Sequence, residues 1–306
     1  MKIVYMGTPD FAVPSLRTLH ENGIDIVGVI TAPDKPRGRG KKLLGTPVKE
    51  YAESVGLRVL QPTNLKSPEF IDELSAMQAD LQIVVAFRML PEVVWNMPLL
   101  GTFNLHGSLL PQYRGAAPIN WAIINGEEET GVTTFFIKHE IDTGSIIDQV
   151  KESISNDDTV GDVYERLMHI GAQLVLDTVR KIEANDYVLT EQLDNGELKE
   201  APKIQKSTCE IDWNSRSEDI RNLVRGLCPY PAAKTEWDGK GFKIFKVVHS
   251  TRDMNGHRPG EYETDNKSYL SIKTRDGALD VLDLQVEGKK RMSIEELLRG
   301  FKFNQQ

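Results

Sequence analysis

Cysteine is nearly missing from this chain: Cys209 and Cys228 are the only two among 306 residues, with no C-x-x-C and no paired histidine cluster. A disulfide framework and a structural zinc site are therefore not what organises the fold, and two reduced thiols with no bound metal are expected. Long apolar runs are lacking too. Nothing approaches about eighteen consecutive apolar residues, and the opening KIVYM reads as a strand, without a charged region, apolar stretch and cleavage site. A soluble, cytoplasmic protein without a membrane partner is expected. The usual phosphate-binding glycines are also absent. The turn MGTPDFAVPS keeps Gly7 but lacks the second and third glycines of G-x-G-x-x-G, which would let backbone approach a pyrophosphate, and no P-loop occurs anywhere. These gaps exclude a P-loop NTPase and argue against a nicotinamide dehydrogenase.

Positive charge is scarce overall, with a formal net charge of −8, but it is unevenly placed. Residues 1–200 hold 18 Lys and Arg against 29 Asp and Glu, while residues 201–306 hold 19 against 16. Inside the acidic part lies one exception, DKPRGRGKKL, with five cations (Lys35, Arg37, Arg39, Lys41 and Lys42) and one acid between Asp34 and Lys42. Such a Gly-rich segment is either a solvated surface loop or a phosphate contact. Its place after the second β-run sets it at the carboxyl end of a sheet, where ligands collect.

What is present is a β-α-β-α order. KIVYM, IDIVGVIT, LRVLQ, LQIVVAF and TFNLH are short runs rich in Val, Ile and Leu with little alternation, as in strands buried on both faces. FAVPSLRTLHENG, PVKEYAESVG, SPEFIDELSAM and PEVVWNM separate them as short helices. The pattern predicts an α/β fold with a doubly wound, mostly parallel sheet. GVTTFFIKH and SIIDQVKES add two strands, and a long helix begins near Thr159, which pairs with Asp162 as a cap. Beyond residue 206, a helix is predicted from SRSEDIRNLVRG with a capping pair Ser215 and Glu218. AKTEW, FKIFKVV, YLSIK and LDVLDLQ follow as strands among DG, PG and DN turns, and a short helix closes the chain. A smaller OB-like β-barrel is the expected second domain. The boundaries predicted are 1–188, a linker over 189–206, and 207–306.

Ligands of open parallel sheets sit beyond the carboxyl ends of the strands. That rule gathers AFRML, Ala86 to Leu90, then Asn104 and His106 at the end of TFNLH, and HEIDTG, His139 to Gly144. Asn104, His106 and Asp142 would then share one pocket. An Asn amide can donate to a developing oxyanion, a near-neutral His can move a proton, and a carboxylate orients that His. A turn with satisfied polar side chains would hold the same residues. Ser108 lies close, but no G-x-S-x-G elbow surrounds it, which favours direct transfer between two bound substrates over a covalent acyl-enzyme.

The stretch NLHGSLLPQYRGAAPINWAIINGEEETGVTTFFIKHEIDTG, Asn104 to Gly144, resembles the formyltransferases that use 10-formyltetrahydrofolate. The resemblance implies that Asn104 polarises the formyl oxygen, His106 manages protons, and Asp142 supports His106. It also implies that backbone around Arg88, Met89 and Leu90 and around Glu140 to Asp142 holds the pterin, flanked by Ser108, Leu109, Leu110 and Pro111. One departure stands out: VVAFRMLPE replaces the commoner tyrosine-glycine form of its segment, which bears on pocket shape. Further along, TAPDKPRGRGKKLLGTPVK, Thr31 to Lys49, is similar to the inserted loop of the methionyl-tRNA formyltransferases, with Arg39 at the position of their critical arginine. MGTPDFAVPSL, IDW, CPYPAA and LQVEGKKRMS extend that likeness along the chain. It implies initiator methionyl-tRNA as the partner, the five basic residues of the loop as tRNA contacts, 10-formyltetrahydrofolate as co-substrate, no metal, and a monomer. A formyltransferase acting on a sugar-nucleotide amine is the nearest alternative.

Overall fold

A computed structural model describes residues 1–37, 42–194, 196 and 198–304, with the side chains of Arg37 and Lys42 set aside. The chain divides into two compact units: Met1–Gly115 with Thr130–Glu152 and Tyr164–Glu200, and Ala116–Glu129 with Ser153–Val163 and Ala201–Gln306.

The first unit is built on a seven-stranded sheet. Its strands are β1 (Lys2–Gly7), β2 (Asp25–Ile30), β3 (Val59–Leu60), β4 (Leu81–Val85), β5 (Thr102–His106), β6 (Glu129–Phe136) and β7 (Ile146–Ser153). They lie in the order β7-β6-β5-β4-β1-β2-β3. β5 through β3 are parallel, and β6 runs antiparallel to β5. Helices Val13–Glu21, Pro47–Ser54, Pro68–Ala76 and Glu92–Trp95 make the connections between the parallel strands. All five residues of β4 are buried, which is why the sequence runs LQIVV without alternation. One face packs Val4, Met6, Ile30 and Val84 against Phe70, Leu74 and Val94. Strand order reverses between β1 and β4, which creates the crevice that this architecture offers to ligands. The long helix spans Val160–Glu183 and is capped as expected, with Thr159 N donating to Asp162 Oδ2 at 2.8 Å. Between β2 and the next helix, Lys35–Arg37 and Lys42–Leu44 pair as a short antiparallel hairpin, where the sequence had suggested only a Gly-rich loop.

The second unit is OB-like, a curled antiparallel half-barrel. Its strands are β8 (Ala233–Trp237), β9 (Lys240–His249), β10 (Tyr262–Glu263), β11 (Ser271–Lys273), β12 (Ala278–Val286) and β13 (Met292–Ser293). They run β8-β9-β12-β11-β10, with β13 on β12. Every pairing is antiparallel, and register shifts near Lys246 in β9 bend the sheet. Asp238 and Gly239, both at positive φ, turn β8 into β9 as the DG pair predicted. The interior is aromatic: the Trp237 ring lies 5.8 Å from Trp213, 5.1 Å from Phe242 and 6.3 Å from both Tyr262 and Phe303.

One cap differs from the sequence reading. The helix there spans Ser217–Leu227, and Asp276, distant in sequence, accepts from Ser217 N at 2.8 Å. Glu218 is drawn away by His249 Nε2 at 2.9 Å and Arg221 Nη1 at 3.1 Å, so it closes no capping box with Ser215. The same unit packs helix Pro118–Ile124 against helix Ser217–Leu227. A Cβ on Gly226 would meet Ile124 Cγ1 at 2.5 Å, so only glycine permits this approach.

Candidate active site

His106 ends β5 and is only 6% exposed. Its Nε2 lies 2.9 Å from the Tyr113 carbonyl oxygen, which can only accept, so Nε2 carries the proton and donates it. The neutral ring then keeps its lone pair on Nδ1. That nitrogen faces Asp142 Oδ2 at 3.9 Å, ion-pair range but too long for a direct hydrogen bond. The Phe135 ring closes the site edge-on, 6.5 Å from the imidazole. Asn104 lies two residues earlier on the same strand, hence on the same face as His106. It is half-buried, and among the described residues its amide has no hydrogen-bond partner.

Asp142 is placed by backbone as much as by side chain. Its φ is 53°, in the left-handed region that Asp enters more readily than most non-glycine residues. Gly115 N donates to Asp142 Oδ2 at 3.0 Å, and Gln192 Nε2 donates to the carbonyls of Asp142 and Gly144 at 2.9 and 2.8 Å. Arg114 in turn grips Gln192 Oε1 through Nε at 3.0 Å and Nη2 at 2.7 Å. Gly144 is required by space alone: a Cβ there would stand 1.6 Å from the Phe136 carbonyl oxygen.

The segments around this centre are laid out plainly. Ala86, at φ 47°, turns the chain out of β4. Arg88 is exposed and donates to the carbonyls of Thr63, at 3.0 Å, and Pro62. Partial loss of solvent around the guanidinium draws its pKa below the ordinary arginine range. Met89 is 74% exposed, whereas Leu90 is buried in the core. Glu140 is exposed and its carbonyl accepts from Thr143 Oγ1 at 3.0 Å. His139 Nδ1 and Glu92 Oε2 lie 3.8 Å apart, so the segments after β4 and β6 meet. Ser108 is fully buried with its hydroxyl donated to the Gln112 carbonyl at 2.6 Å. Leu109 and Pro111 are half-buried, Leu110 is buried, and the Leu110–Pro111 peptide is cis. Gln149 and Thr133 fasten this turn, with Gln149 Nε2 donating to the Leu110 carbonyl at 2.8 Å and Thr133 Oγ1 to the Ser108 carbonyl at 2.6 Å.

A cavity of about 540 Å³ opens at the carboxyl ends of β1, β2 and β4, lined by Thr8, Pro9, Ala32, Pro33, Lys35, Thr63, Ala86 and Arg88. It occupies the switch point and leaves the trio one strand to its side, since Val85 pairs with Leu105. Among the described residues, no group of three His, Cys, Asp or Glu is arranged to hold a metal ion.

Two family models match the chain: the formyl transferase model over residues 1–179 and the formyl transferase C-terminal domain over 203–302. The chain belongs to the formyl transferase family. It is 57% identical over 312 residues to a methionyl-tRNA formyltransferase of Parabacteroides distasonis, covering 99% of this chain and 96% of that protein. Against one from Bacteroides fragilis the identity is 54% over 309 residues, 98% and 95% of the two chains. Among solved structures, the sugar 3N-formyl transferase WlaRD, studied with dTDP and 5-N-formyl-THF, matches with a TM-score of 0.68 at 24% identity, covering 95% of this chain and 99% of that one. HypX from Aquifex aeolicus, in complex with tetrahydrofolic acid, matches with a TM-score of 0.63 at 20% identity, covering 99% of this chain and 48% of that one. At those identities the two structures speak for the fold alone.

Of the basic residues singled out in the sequence, Lys35 is exposed and lines the cavity. Arg37 and Lys42 pair in the hairpin register, and Arg39 and Lys41 lie outside the described residues. The supporting groups Arg114, Gly115, Gln149 and Gln192 escaped the sequence reading. Arg114 and Gly115 sit inside the quoted SLLPQYRG stretch, whereas Gln192 carries no local signal at all.

Proposed function

We propose that the protein transfers the formyl group of 10-formyltetrahydrofolate to the amino group of methionine on initiator methionyl-tRNA, giving formylmethionyl-tRNA for translation initiation. The choice of acceptor rests on near full-length identity to methionyl-tRNA formyltransferases. The chemistry rests on one observation, the His106 ring tethered through Nε2 so that Nδ1 is left as the base.

Asn104 then donates its amide to the formyl oxygen as the carbon becomes tetrahedral, an interaction worth about 10²–10³ in rate. His106 Nδ1 takes a proton from the attacking amine and returns it to the departing folate nitrogen, so the amine loses one N–H, gains the formyl carbon, and the folate leaves protonated. Asp142 stabilises the imidazolium that exists between those two transfers. Main-chain groups of Arg88 to Leu90 and Glu140 to Asp142, with the exposed Met89 and Ile141 side chains, offer a partly apolar seat for the pterin, next to Ser108 to Pro111. The hairpin bearing Lys35, Arg37 and Lys42, together with Arg39 and Lys41 from the same stretch of sequence, and the mildly basic second domain bind the tRNA through phosphates. We place the catalytic domain at 1–188 and the tRNA-binding domain at 207–306, in a cytoplasmic monomer. Formyl transfer is tested by offering charged initiator tRNA, charged elongator tRNA and an amino-sugar nucleotide in parallel. Formylation of the initiator alone is expected; transfer to the sugar, or to none of the three, overturns the acceptor assignment.

A further inference from the structure

Two cross-links close the root of the basic hairpin. Thr31 and Thr46, both buried, share a hydroxyl-to-hydroxyl hydrogen bond of 2.7 Å. One step outward, the Asp34 carboxylate is gripped from two sides. Gln61 Nε2 donates to Asp34 Oδ1 at 2.7 Å and to the Ala32 carbonyl at 2.8 Å, and Lys49 Nζ donates to Asp34 Oδ2 at 2.7 Å. The Gln61 bond, then Lys49, holds the Asp34 carboxyl below its ordinary range. Gln61 is anchored in its turn, because the next two residues, Pro62 and Thr63, present the carbonyls that Arg88 grips. A continuous polar chain therefore runs from the segment after β4 to the base of the hairpin.

An acid is a poor choice for the base of a hairpin that gathers phosphates, since it offsets one of five cations. Its partners explain it better than its charge does. Both Asp34 oxygens are occupied by groups from other elements, one following β3 and one on helix Pro47–Ser54, so the carboxylate fixes the direction in which the chain leaves β2.

We infer that Asp34, clamped between Gln61 and Lys49, is a positioning residue for the acceptor: the clamp sets where the basic hairpin stands, and the KM for tRNA depends on it. This rests on the tRNA reading above. The sign of the effect separates positioning from electrostatics. Removing a carboxylate near a tRNA surface tightens binding if charge alone counts, whereas loosening the hairpin weakens it.

The test is steady-state formyl transfer to charged initiator tRNA by wild type, Asp34→Ala, Gln61→Met, Lys49→Met and Lys49→Arg, over a salt series, with melting temperatures alongside. Asp34→Ala, Gln61→Met and Lys49→Met are expected to raise the KM for tRNA about tenfold, as for losing a hydrogen bond to a charged group. The kcat and the KM for 10-formyltetrahydrofolate stay within about twofold of wild type. Lys49→Arg keeps the ion pair and stays near wild type, and Gln61→Met, which removes no cation, leaves the salt slope unchanged. Should Asp34→Ala prove unstable, the neutral Gln61→Met decides alone. A tRNA KM that is unchanged or lowered in Asp34→Ala or Gln61→Met, with wild type active, overturns the clamp and leaves the acceptor assignment standing. Wild type inactive toward initiator tRNA overturns both.

Discussion

Among the residues of the first unit with left-handed backbone, Ala86, Tyr113 and Asp142, at φ 47°, 60° and 53°, lie in the segments that follow β4, β5 and β6. In the second unit Asp238 and Asn266 are left-handed too, at 52° and 56°, but they serve the aromatic interior. Asp238 receives the Tyr262 hydroxyl at 2.9 Å, and Asn266 Oδ1 receives Phe303 N at 2.9 Å. Asp and Asn tolerate that conformation, whereas Ala and Tyr do so only when their surroundings compel it. The contrast separates two uses of unusual backbone. At the first three it shapes the segments beyond the carboxyl ends of the strands; at Asp238 and Asn266 it ties turns around a core. Substitutions should accordingly cost activity in the first unit and stability in the second.

Gly144→Ala is the strongest way to break that rule, because its Cβ would overlap the Phe136 carbonyl and force the loop bearing Asp142 to move. A loss above about 4 kcal/mol, or failure to fold, is expected in thermal unfolding, so here a first-unit residue costs stability. Trp237→Ala sharpens the rule instead. Truncating this buried ring should cost about 3–5 kcal/mol by denaturant titration, with kcat retained in the folded fraction. Asp276→Ala is the mildest test. Its carboxylate caps helix Ser217–Leu227, and backbone donation from Ser217 lowers its pKa. At neutral pH the loss should be about 0.5–1 kcal/mol, since the group is half-exposed. A lowered folded pKa means this contribution is present above the ordinary carboxylate pKa and lost as pH falls through the folded value. Wild type and variant should therefore converge in acid, which melting curves across pH would reveal.

The parallel strands were legible because Val, Ile and Leu run without alternation in KIVYM and LQIVV, a demand that burial on both faces makes and little else does. The DG turn at Asp238 was legible for its backbone requirement. Other features were not. Lys35–Arg37 and Lys42–Leu44 contain Lys, Pro and Arg rather than strand formers, so their pairing follows from closure of the Asp34 and Thr31 rungs beneath them. The helix cap supplied by Asp276 and the Gln192 bonds to Asp142 and Gly144 join residues about fifty or more apart in sequence, where no spacing rule reaches. At the site, Asn104, His106 and Asp142 stood out by residue type. The Tyr113 carbonyl that selects the His106 tautomer is a backbone group, and sequence cannot show where a carbonyl points.

The most direct test of the central claim is single-turnover formyl transfer by His106→Ala beside a binding titration of charged initiator tRNA. Turnover should fall by about 10²–10⁴ while tRNA affinity stays close to wild type. Turnover that survives the substitution would contradict the account, because the proton would then be moving without the group placed here to carry it.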